Sequence, residues 1–383
     1  MSLRVAFYSH NGFGLGHIGR NLKIARALLE RCPNADVLII TGATGLDGMA
    51  IPAGVDYIKL PSVRKMSTGR WRPQSLDIEM ERLLRLRKTM ILEAIRAYRP
   101  HLFVADFLPV GVARELVPAL EELAGRPDAR SVIGLRDILD EPAVIRSAWE
   151  KEGSYAALEQ LYDRVLVYGS PDWFDFSVYG VEPDLPRYVG LLGLEGVNGR
   201  HPRNGRNGRV RLLATCGGGA DGYAMMAATL EASIMLQELC EAPVTCTVIT
   251  GPLMPEPDVA RLGALAERTG GRVQRFTNDF GAKLHQATAI VGMAGYNTVC
   301  EALSLRKPAV LVPRFGPSEE QTIRAQILST RGLATHLPLA HCASDSMAAA
   351  LAPLLTRHVY REDTLPDLNG LSKTVDSLLE LVS

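Results

Sequence analysis

Short apolar runs alternate with helical patterns along the first half of the chain. The apolar runs are Leu3–Tyr8, Asp36–Thr41, Asp56–Lys59, Leu102–Ala105, Ser131–Leu135 and Arg164–Val167, and helical patterns fall near 18–31, 76–98, 109–124 and 141–161. The runs are rich in Val, Ile and Leu, as buried parallel strands are. This alternation predicts βαβ units in a doubly wound sheet, with functional residues at the carboxyl ends of the strands.

A polar, Gly/Asn-rich stretch interrupts this pattern, and a second βαβ series follows it. The second series has strands at Arg211–Thr215, Val244–Thr250, Arg272–Arg275, Ala289–Gly292 and Ala309–Val312, a long helix at Tyr223–Leu239, and a last amphipathic helix at Leu371–Leu381. The predicted fold class is α/β, with two Rossmann-like doubly wound domains facing across a cleft. The predicted parts are 1–195, a linker at 196–209, a second domain at 210–362, and a C-terminal segment at 363–383 that packs back on the first domain.

Composition narrows the class of protein without naming a function. Lys+Arg and Asp+Glu are 42 each, so the chain lacks the basic excess of a dedicated nucleic-acid binder. Its six cysteines show no C-x-x-C spacing and are expected to be reduced thiols. The sequence has neither a signal peptide pattern nor an apolar run of 18 residues. We therefore expect a soluble cytoplasmic protein, with peripheral membrane contact left open. The oligomeric state is not indicated.

The first strand breaks into glycines and ends in a histidine. The segment 11–17 reads Asn-Gly-Phe-Gly-Leu-Gly-His, and its spacing is not the dinucleotide fingerprint G-x-G-x-x-G. Asp106 closes another apolar run, so the tops of the two strands can bring it to His17. An aspartate there would fix the imidazole tautomer and leave the other nitrogen as a general base. The alternative is a tight turn with a capping histidine and a strand-end aspartate.

Two glycine-containing loops in the second half follow strands in the same way. Gly217–Gly219 has no adjacent base and no P-loop lysine, so it predicts either a phosphate cradle or a tight turn. In the window 291–313 a strand ends at Gly292 and a helix begins near Gly295. Glu301 follows one turn into that helix, where a carboxylate can bind two sugar hydroxyls. The next strand leads to Glu320 and Gln321 at the start of another helix.

The order of these motifs resembles the nucleotide-sugar half of GT-B glycosyltransferases. The likeness is strongest over 289–334 and is closest to the bacterial enzymes that add N-acetylglucosamine to the lipid precursor of peptidoglycan, with their soluble relatives. The loop at 11–17 is similar to the acceptor-side loop of the same family. The resemblance therefore implies an acceptor-binding domain at 1–195 and a nucleotide-sugar-binding domain at 210–362.

The resemblance also implies roles for individual residues. Glu301 would bind the ribose, Glu320 and Gln321 would read the donor sugar, and His17 would be the base with Asp106 orienting it. The backbone of Ala294, Gly295, Tyr296 and Asn297, helped by Gly218 and Gly219, would hold the diphosphate, and Phe276 and Thr277 would contact the nucleobase. The pair Glu320-Gln321 departs from the family's usual Asp-Gln or Gln-Gln, so the sugar stays open.

Acceptor contacts are predicted at Gly14, Gly16, Arg64, Lys65 and Asp137. The basic stretch Arg64–Arg72 is expected to be a mobile loop, and with the helix face Arg82, Arg85, Arg87 and Lys88 it favours a polar or anionic acceptor. A solvated face and a helix-capping Asp137 are the alternatives. No acidic or histidine cluster has metal-ligand spacing. No metal and no cofactor are therefore expected, because a positive helix terminus can hold the diphosphate instead.

These features together predict an inverting, metal-independent hexosyltransferase. The donor would be a nucleotide-diphospho-sugar, most simply a UDP-sugar such as UDP-N-acetylglucosamine, and the acceptor a hydroxyl of a small polar molecule or natural product. Two rivals stay open: a nucleotide-sugar 2-epimerase of the same fold, and a non-catalytic nucleotide-sugar sensor.

Overall fold

The computed structural model describes residues 2–10, 15–44, 46, 49–67, 70–194, 208–219, 221–277, 279–356 and 362–383. The chain forms two compact units: the N-terminal unit, Met1–Leu192 with Asn369–Ser383, and the C-terminal unit, Gly193–Leu368. Each unit holds its own parallel sheet. This confirms the predicted α/β class with two Rossmann-like domains.

The N-terminal unit contains nine strands and six helices among the described residues. The strands are β1 (Arg4–Ser9), β2 (Asp36–Thr41), β3 (Val55–Lys59), β4 (Val63–Ser67), β5 (Arg70–Pro73), β6 (Leu102–Asp106), β7 (Arg130–Arg136), β8 (Arg164–Tyr168) and β9 (Pro186–Tyr188). The helices are α1 (Gly16–Arg31), α2 (Met80–Tyr98), α3 (Val117–Ala124), α4 (Pro142–Glu152) and α5 (Ser154–Gln160), with the chain's last helix described below.

Seven of these strands form one parallel sheet in the order β3-β2-β1-β6-β7-β8-β9. The order reverses at β1, the topological switch point of a doubly wound sheet, where ligand sites of this architecture lie. Ser9 at the end of β1 is the register partner of Asp106 at the end of β6. The predicted proximity of these two strand ends is therefore confirmed.

The stretch Arg64–Arg72 is not the loop that the sequence predicted. β4 and β5 pair antiparallel as a hairpin, with residues 68–69 outside the described part of the chain. Val63 of β4, Trp71 of β5 and Leu83 of α2 pack in one small apolar cluster. Because this stretch is rich in basic residues, the sequence suggested a loop, and the buried side of the hairpin was not predicted.

The C-terminal unit contains six strands and six helices among the described residues. They are β10 (Val210–Thr215), α6 (Tyr223–Leu239), β11 (Val244–Ile249), α7 (Glu256–Thr269), β12 (Arg272–Gln274), α8 (Phe280–Gln286), β13 (Ala289–Gly292), α9 (Tyr296–Ser304), β14 (Ala309–Leu311), α10 (Glu320–Thr330), β15 (Thr335–His336) and α11 (Ser344–Thr356). The sheet order is β12-β11-β10-β13-β14-β15, parallel throughout. In this sheet too the order reverses at the first strand.

The last helix, α12 (Gly370–Leu379), belongs to the N-terminal unit. Asp376 of α12 accepts a hydrogen bond of 2.8 Å from Arg31 at the end of α1. The chain passes between the units at 192/193 and 368/369. Most of the predicted linker, 196–209, lies outside the described residues.

Arg87 does not belong to the exposed basic face predicted for α2. Its side chain is 0% exposed, and its Nε and Nη2 donate hydrogen bonds of 2.6 Å each to Glu115, also 0% exposed. The Tyr8 hydroxyl donates to the same carboxylate. Along the described chain, no helix combines the length and apolar character needed to cross a bilayer.

Candidate active site

The predicted base, His17, and Asp106 lie together at the switch point of the N-terminal sheet. Helix α1 begins at Gly16, so His17 stands in its first turn. His17 Nδ1 lies 2.5 Å from Asp106 Oδ2, and the side chains are 16% and 1% exposed. The structure therefore brings together the two residues that the sequence paired.

Arg20 completes this pair and was missed by the sequence analysis. Its Nε lies 2.8 Å from Asp106 Oδ1, and its Nη2 lies 2.6 Å from Oδ1 and 2.8 Å from Oδ2. Arg20 is 2% exposed, one helical turn from His17 on α1. The forked guanidinium matches the two carboxylate oxygens, the geometry for which arginine is suited.

The charges in this cluster follow from burial and from Arg20. Burial lowers the pKa of His17 to about 4, with Arg20 and Arg136 adding to the effect and Asp106 opposing it. Burial alone would raise the pKa of Asp106, but Arg20 and His17 hold it well below its usual range. At neutral pH the carboxylate is charged and accepts only, so Nδ1 of the neutral His17 carries the proton and Nε2 presents a lone pair.

His10 also lies beside His17, and the sequence analysis did not single it out. Its ring centroid lies 4.4 Å from that of His17, 5.6 Å from Phe107 and 5.9 Å from Trp71. His10 is 6% exposed, and within the described part of the chain its Nδ1 has no hydrogen-bond partner. Burial first, and then the neighbouring titratable ring of His17, hold the pKa of His10 well below its usual value. His10 therefore adds a neutral polar edge to an otherwise aromatic wall.

His10, His17 and Asp106 also have the spacing of a metal-binding group. One ligand atom from each lies within 4.8 Å of the others. Both Asp106 oxygens, however, already accept hydrogen bonds from Arg20. The fixed positive charge of that guanidinium opposes a second cation at the same carboxylate. These contacts disfavour a metal ion at the cluster of His10, His17 and Asp106.

A narrow cavity of about 30 Å³ adjoins this cluster and shares Phe107 and Trp71 with it. The other lining residues are Lys65, Leu108, Gly111, Leu139, Ile145, Ala148, Trp149 and Glu152. The lining is mainly apolar, with one cation and one carboxylate. Such a cavity suits a small apolar group of a ligand whose polar part lies elsewhere.

The other predicted acceptor-side residues are scattered. Gly14 lies outside the described residues, and at Gly16 an added Cβ would meet no atom within 4 Å. Arg64 is exposed on β4, whereas Lys65 lines the cavity. Asp137 is 1% exposed; its carboxylate accepts hydrogen bonds from Trp173 Nε1 at 3.1 Å and from the backbone of Ile138 at 2.8 Å. These bonds give Asp137 a structural role beside the site.

The predicted diphosphate loop of the C-terminal unit leads into the nine-residue helix α9. Ala294 is in the left-handed region with φ +58°, and Gly295 precedes the first turn, where an added Cβ would meet no atom within 4 Å. Tyr296 is buried, while Asn297 and Glu301 are half-buried. An approachable helix N-terminus, at the positive end of the helix dipole, can bind an anion such as a phosphate group.

The second glycine loop is held closely against its own sheet. Gly219 has φ +99°, and an added Cβ would lie 2.2 Å from the carbonyl oxygen of Thr250. The carbonyl of Gly218 accepts a hydrogen bond of 2.8 Å from Leu253. Glycine at 219 is therefore required by backbone packing, which supports the tight-turn alternative for that position.

Glu320 and Gln321 stand at the start of α10 and are 7% and 5% exposed. Arg324, which the sequence analysis missed, is 0% exposed and lies one turn further on. Its Nη1 donates 2.9 Å to the carbonyl of Ala294, and its Nη2 lies 3.8 Å from Glu320 Oε2. Arg324 thus joins the predicted sugar-reading residues to the predicted diphosphate loop.

Phe276 and Thr277 follow β12, at the same carboxyl edge of the C-terminal sheet. Phe276 is 41% exposed, and Thr277 Oγ1 accepts a hydrogen bond of 3.2 Å from Asp279. An exposed aromatic side chain beside a turn is suited to stacking against a flat ring.

Comparison with known proteins shows the class of enzyme to which this chain is similar. Residues 216–365 match the glycosyltransferase family 28 C-terminal domain. The chain is a GT-B glycosyltransferase. Over 96% of its length it is 23% identical to the UDP-N-acetylglucosamine–N-acetylmuramyl-(pentapeptide) pyrophosphoryl-undecaprenol N-acetylglucosamine transferase of Levilactobacillus brevis, covering 95% of that protein. The enzyme with the same name from Nitratidesulfovibrio vulgaris (strain Hildenborough) is 26% identical with the same coverage.

Solved structures support the fold of this glycosyltransferase over its whole length. The glycosyltransferase SnogD from Streptomyces nogalater aligns with a TM-score of 0.64 at 17% identity, covering 100% of both chains. MurG from Acinetobacter baumannii aligns with a TM-score of 0.62 at 15% identity, covering 99% of both. These likenesses show the fold.

Proposed function

We propose that this glycosyltransferase transfers a sugar from a UDP-sugar to a hydroxyl group with inversion, and that His17 is the general base. The observation that carries the proposal is the neutral His17, whose Nδ1 is committed to Asp106 at 2.5 Å while Nε2 remains a proton acceptor. The relatives named for transfer from UDP-N-acetylglucosamine support that compound as the donor.

In the proposed reaction, Nε2 of His17 removes the acceptor hydroxyl proton as the oxygen attacks the anomeric carbon. A bond forms between that oxygen and the carbon, and the bond from the carbon to the diphosphate oxygen breaks. UDP carries away the electron pair. A single displacement of this kind inverts the anomeric centre, and the imidazolium returns its proton to solvent.

The C-terminal unit would hold the donor. The N-terminus of α9, with the backbone of Ala294, Gly295, Tyr296 and Asn297 and with Gly218, offers N–H groups and a positive dipole to the diphosphate. Glu301 would bind the ribose, Glu320 and Gln321 the sugar, and Phe276 the base. Because the helix terminus stabilises the departing charge, we propose a reaction without a metal ion.

The N-terminal unit would hold the acceptor. The cavity beside Phe107 accepts a small apolar group, and Lys65 lies on its wall. A molecule with an apolar group and a polar or anionic remainder would satisfy both features. This keeps the acceptor polar, as the sequence indicated, and adds an apolar contact next to the base.

The proposal is tested by donor binding and UDP release, which need no identified acceptor. UDP and UDP-N-acetylglucosamine should raise the melting temperature, because each binds only the folded state. His17→Ala should lower UDP release with water as acceptor by about 10²–10⁴, the usual contribution of a general base, without changing stabilisation by UDP. His341→Ala, at an exposed histidine of the C-terminal unit, is the matched control.

Three outcomes would contradict the proposal. Stabilisation by neither UDP compound would remove the donor assignment. UDP release unaffected by His17→Ala would remove the base. Conversion of the donor to its 2-epimer, in place of hydrolysis, would identify an epimerase.

A further inference from the structure

Arg20 makes more hydrogen bonds to Asp106 than His17 does. Among the residues that the structure describes, Arg20 makes three of the four hydrogen bonds to the Asp106 carboxylate, two to Oδ1 and one to Oδ2. The fourth joins Oδ2 to His17. A bidentate arginine–carboxylate pair in a buried place behaves as a neutral unit, because its two charges cancel at short range.

This neutral unit changes what Asp106 can do for His17. A bare carboxylate at 2.5 Å would favour the charged imidazolium and raise its proton affinity. Arg20 Nη2 lies only 2.9 Å from His17 Nδ1 and therefore opposes a second positive charge there. Both are donors that share Asp106 Oδ2 as acceptor. Asp106 orients the ring and still favours the imidazolium, but burial of His17, helped by Arg20, outweighs that attraction.

The other charged and titratable groups around His17 do not reverse this balance. Arg136 at the end of β7 lies 4.4 Å over the Phe107 ring, and its charge disfavours the imidazolium. His10, after β1, is neutral, and Lys65 on β4 adds positive charge near it. Tyr168 on β8 is buried near Arg20, and burial keeps its hydroxyl protonated. Asp106 is thus the one carboxylate among these groups, and Arg20 occupies it.

We propose that Arg20 is a positioning residue that neutralises Asp106 and thereby keeps His17 uncharged, with its proton on Nδ1 and its lone pair on Nε2. His17 then stays ready to accept a proton far into the acidic range, whereas a histidine beside a bare aspartate would be protonated and inactive there. The kinetic consequence rests on the proposed role of His17 as base. The protonation state itself does not.

The inference is tested by titrating His17 in the full-length protein with ¹⁵N-labelled histidine, assigned by comparison with His17→Gln. The wild-type ring should remain neutral down to about pH 4. In Arg20→Met the exposed charge of Asp106 should draw a proton to His17. We expect its pKa to rise by about two units or more, roughly a hundredfold in proton affinity. No donor or acceptor is required, so a failure of this titration is distinct from failure of the proposed function.

Two further variants separate charge from packing. Arg20→Lys keeps the positive charge and should keep the pKa of His17 low, and it serves also if Arg20→Met does not fold. In Arg20→Met with Asp106→Asn, the pKa of His17 should fall again, because the carboxylate is gone. Arg26→Met, at an exposed arginine of the same helix, should leave the titration unchanged.

The kinetic readout is the pH dependence of UDP release. Wild type should be flat from pH 5.5 to 8. Arg20→Met should lose activity as the pH falls through about 6, because His17 becomes protonated. Lowered stability with an unchanged His17 titration in Arg20→Met would reduce Arg20 to a structural role. A pKa in Arg20→Lys that rises as far as in Arg20→Met would likewise overturn the inference.

Discussion

Removing one partner of the buried ion pair between Arg87 and Glu115 should strongly destabilise the N-terminal unit, and Glu115→Gln tests this. Both side chains are 0% exposed, and two hydrogen bonds of 2.6 Å join them. Glutamine keeps the shape and one acceptor oxygen but removes the negative charge. Arg87 would then be a buried cation without its anion, because its Nη1 donates to the neutral carbonyl of Pro61.

The expected loss is about 3–5 kcal/mol, the usual consequence of removing one partner of a buried pair. For a unit of about 200 residues this corresponds to a melting temperature lower by roughly 6–20 °C, at about 2–4 °C per kcal/mol. All three tryptophans of the chain, Trp71, Trp149 and Trp173, lie in the N-terminal unit. Urea unfolding followed by tryptophan fluorescence therefore reports on that unit.

A solvent-exposed ion pair between α2 and α3 provides a matched control. Arg96 of α2 lies 2.9 Å from Glu122 of α3, but these side chains are 50% and 32% exposed. Glu122→Gln should change the urea midpoint little, because water replaces the lost partner. Removing both charges of the buried pair, in Arg87→Met with Glu115→Leu, should restore much of the stability. A loss below about 1 kcal/mol in Glu115→Gln would refute the reasoning, because even a buried neutral donor left unsatisfied costs that much.

Two other perturbations have expected outcomes. Gly219→Ala should destabilise the C-terminal unit by about 3 kcal/mol, because Gly219 has a positive φ and the added Cβ would clash with Thr250. Gly263→Ala, in helix α7, should instead stabilise the unit by about 0.5–1 kcal/mol. Urea unfolding followed by circular dichroism measures both changes. Met66 on the hairpin and Leu76, three residues beyond its second strand, are exposed beside several exposed arginines and should bind vesicles that contain anionic lipid. Sedimentation should show the binding lost at high salt and in Met66→Asp. Equal binding to neutral vesicles, or none, would show a solvated face.

The central strands were predictable because burial on both faces leaves continuous apolar runs. Asp36–Thr41 and Ala289–Gly292 were predicted to the residue. The edge strands β9 and β15, of three and two residues, were not predicted, whereas the edge strands β3 and β12 were. The predicted helix over 141–161 divides into α4 and α5 at Gly153, whose φ of +70° ends the first helix.

The site was predictable where chain topology alone decides it. His17 and Asp106 each follow a buried strand, and neighbouring parallel strands end at one edge. Arg20 was not predicted, because an arginine among apolar helix positions ordinarily lies in solvent. For Arg87 a sequence signal was present, because Leu83, Arg87, Ile91 and Ile95 of α2 fall on one buried stripe at helical spacing. An arginine on such a stripe requires a carboxylate elsewhere in the fold.

Three arginines are the largest of the fully buried side chains described in this chain, and each connects a helix to a segment near the candidate site. Arg20 ties α1 to the end of β6, Arg87 ties α2 to Glu115 before α3, and Arg324 ties α10 to the turn before α9. Burying a guanidinium is unfavourable unless its donors are satisfied, so each fixes its partner's position. A buried arginine therefore holds each of the two segments, the candidate base and the candidate diphosphate loop, in position. Substituting Arg20 or Arg324 should therefore displace the segment that the arginine holds.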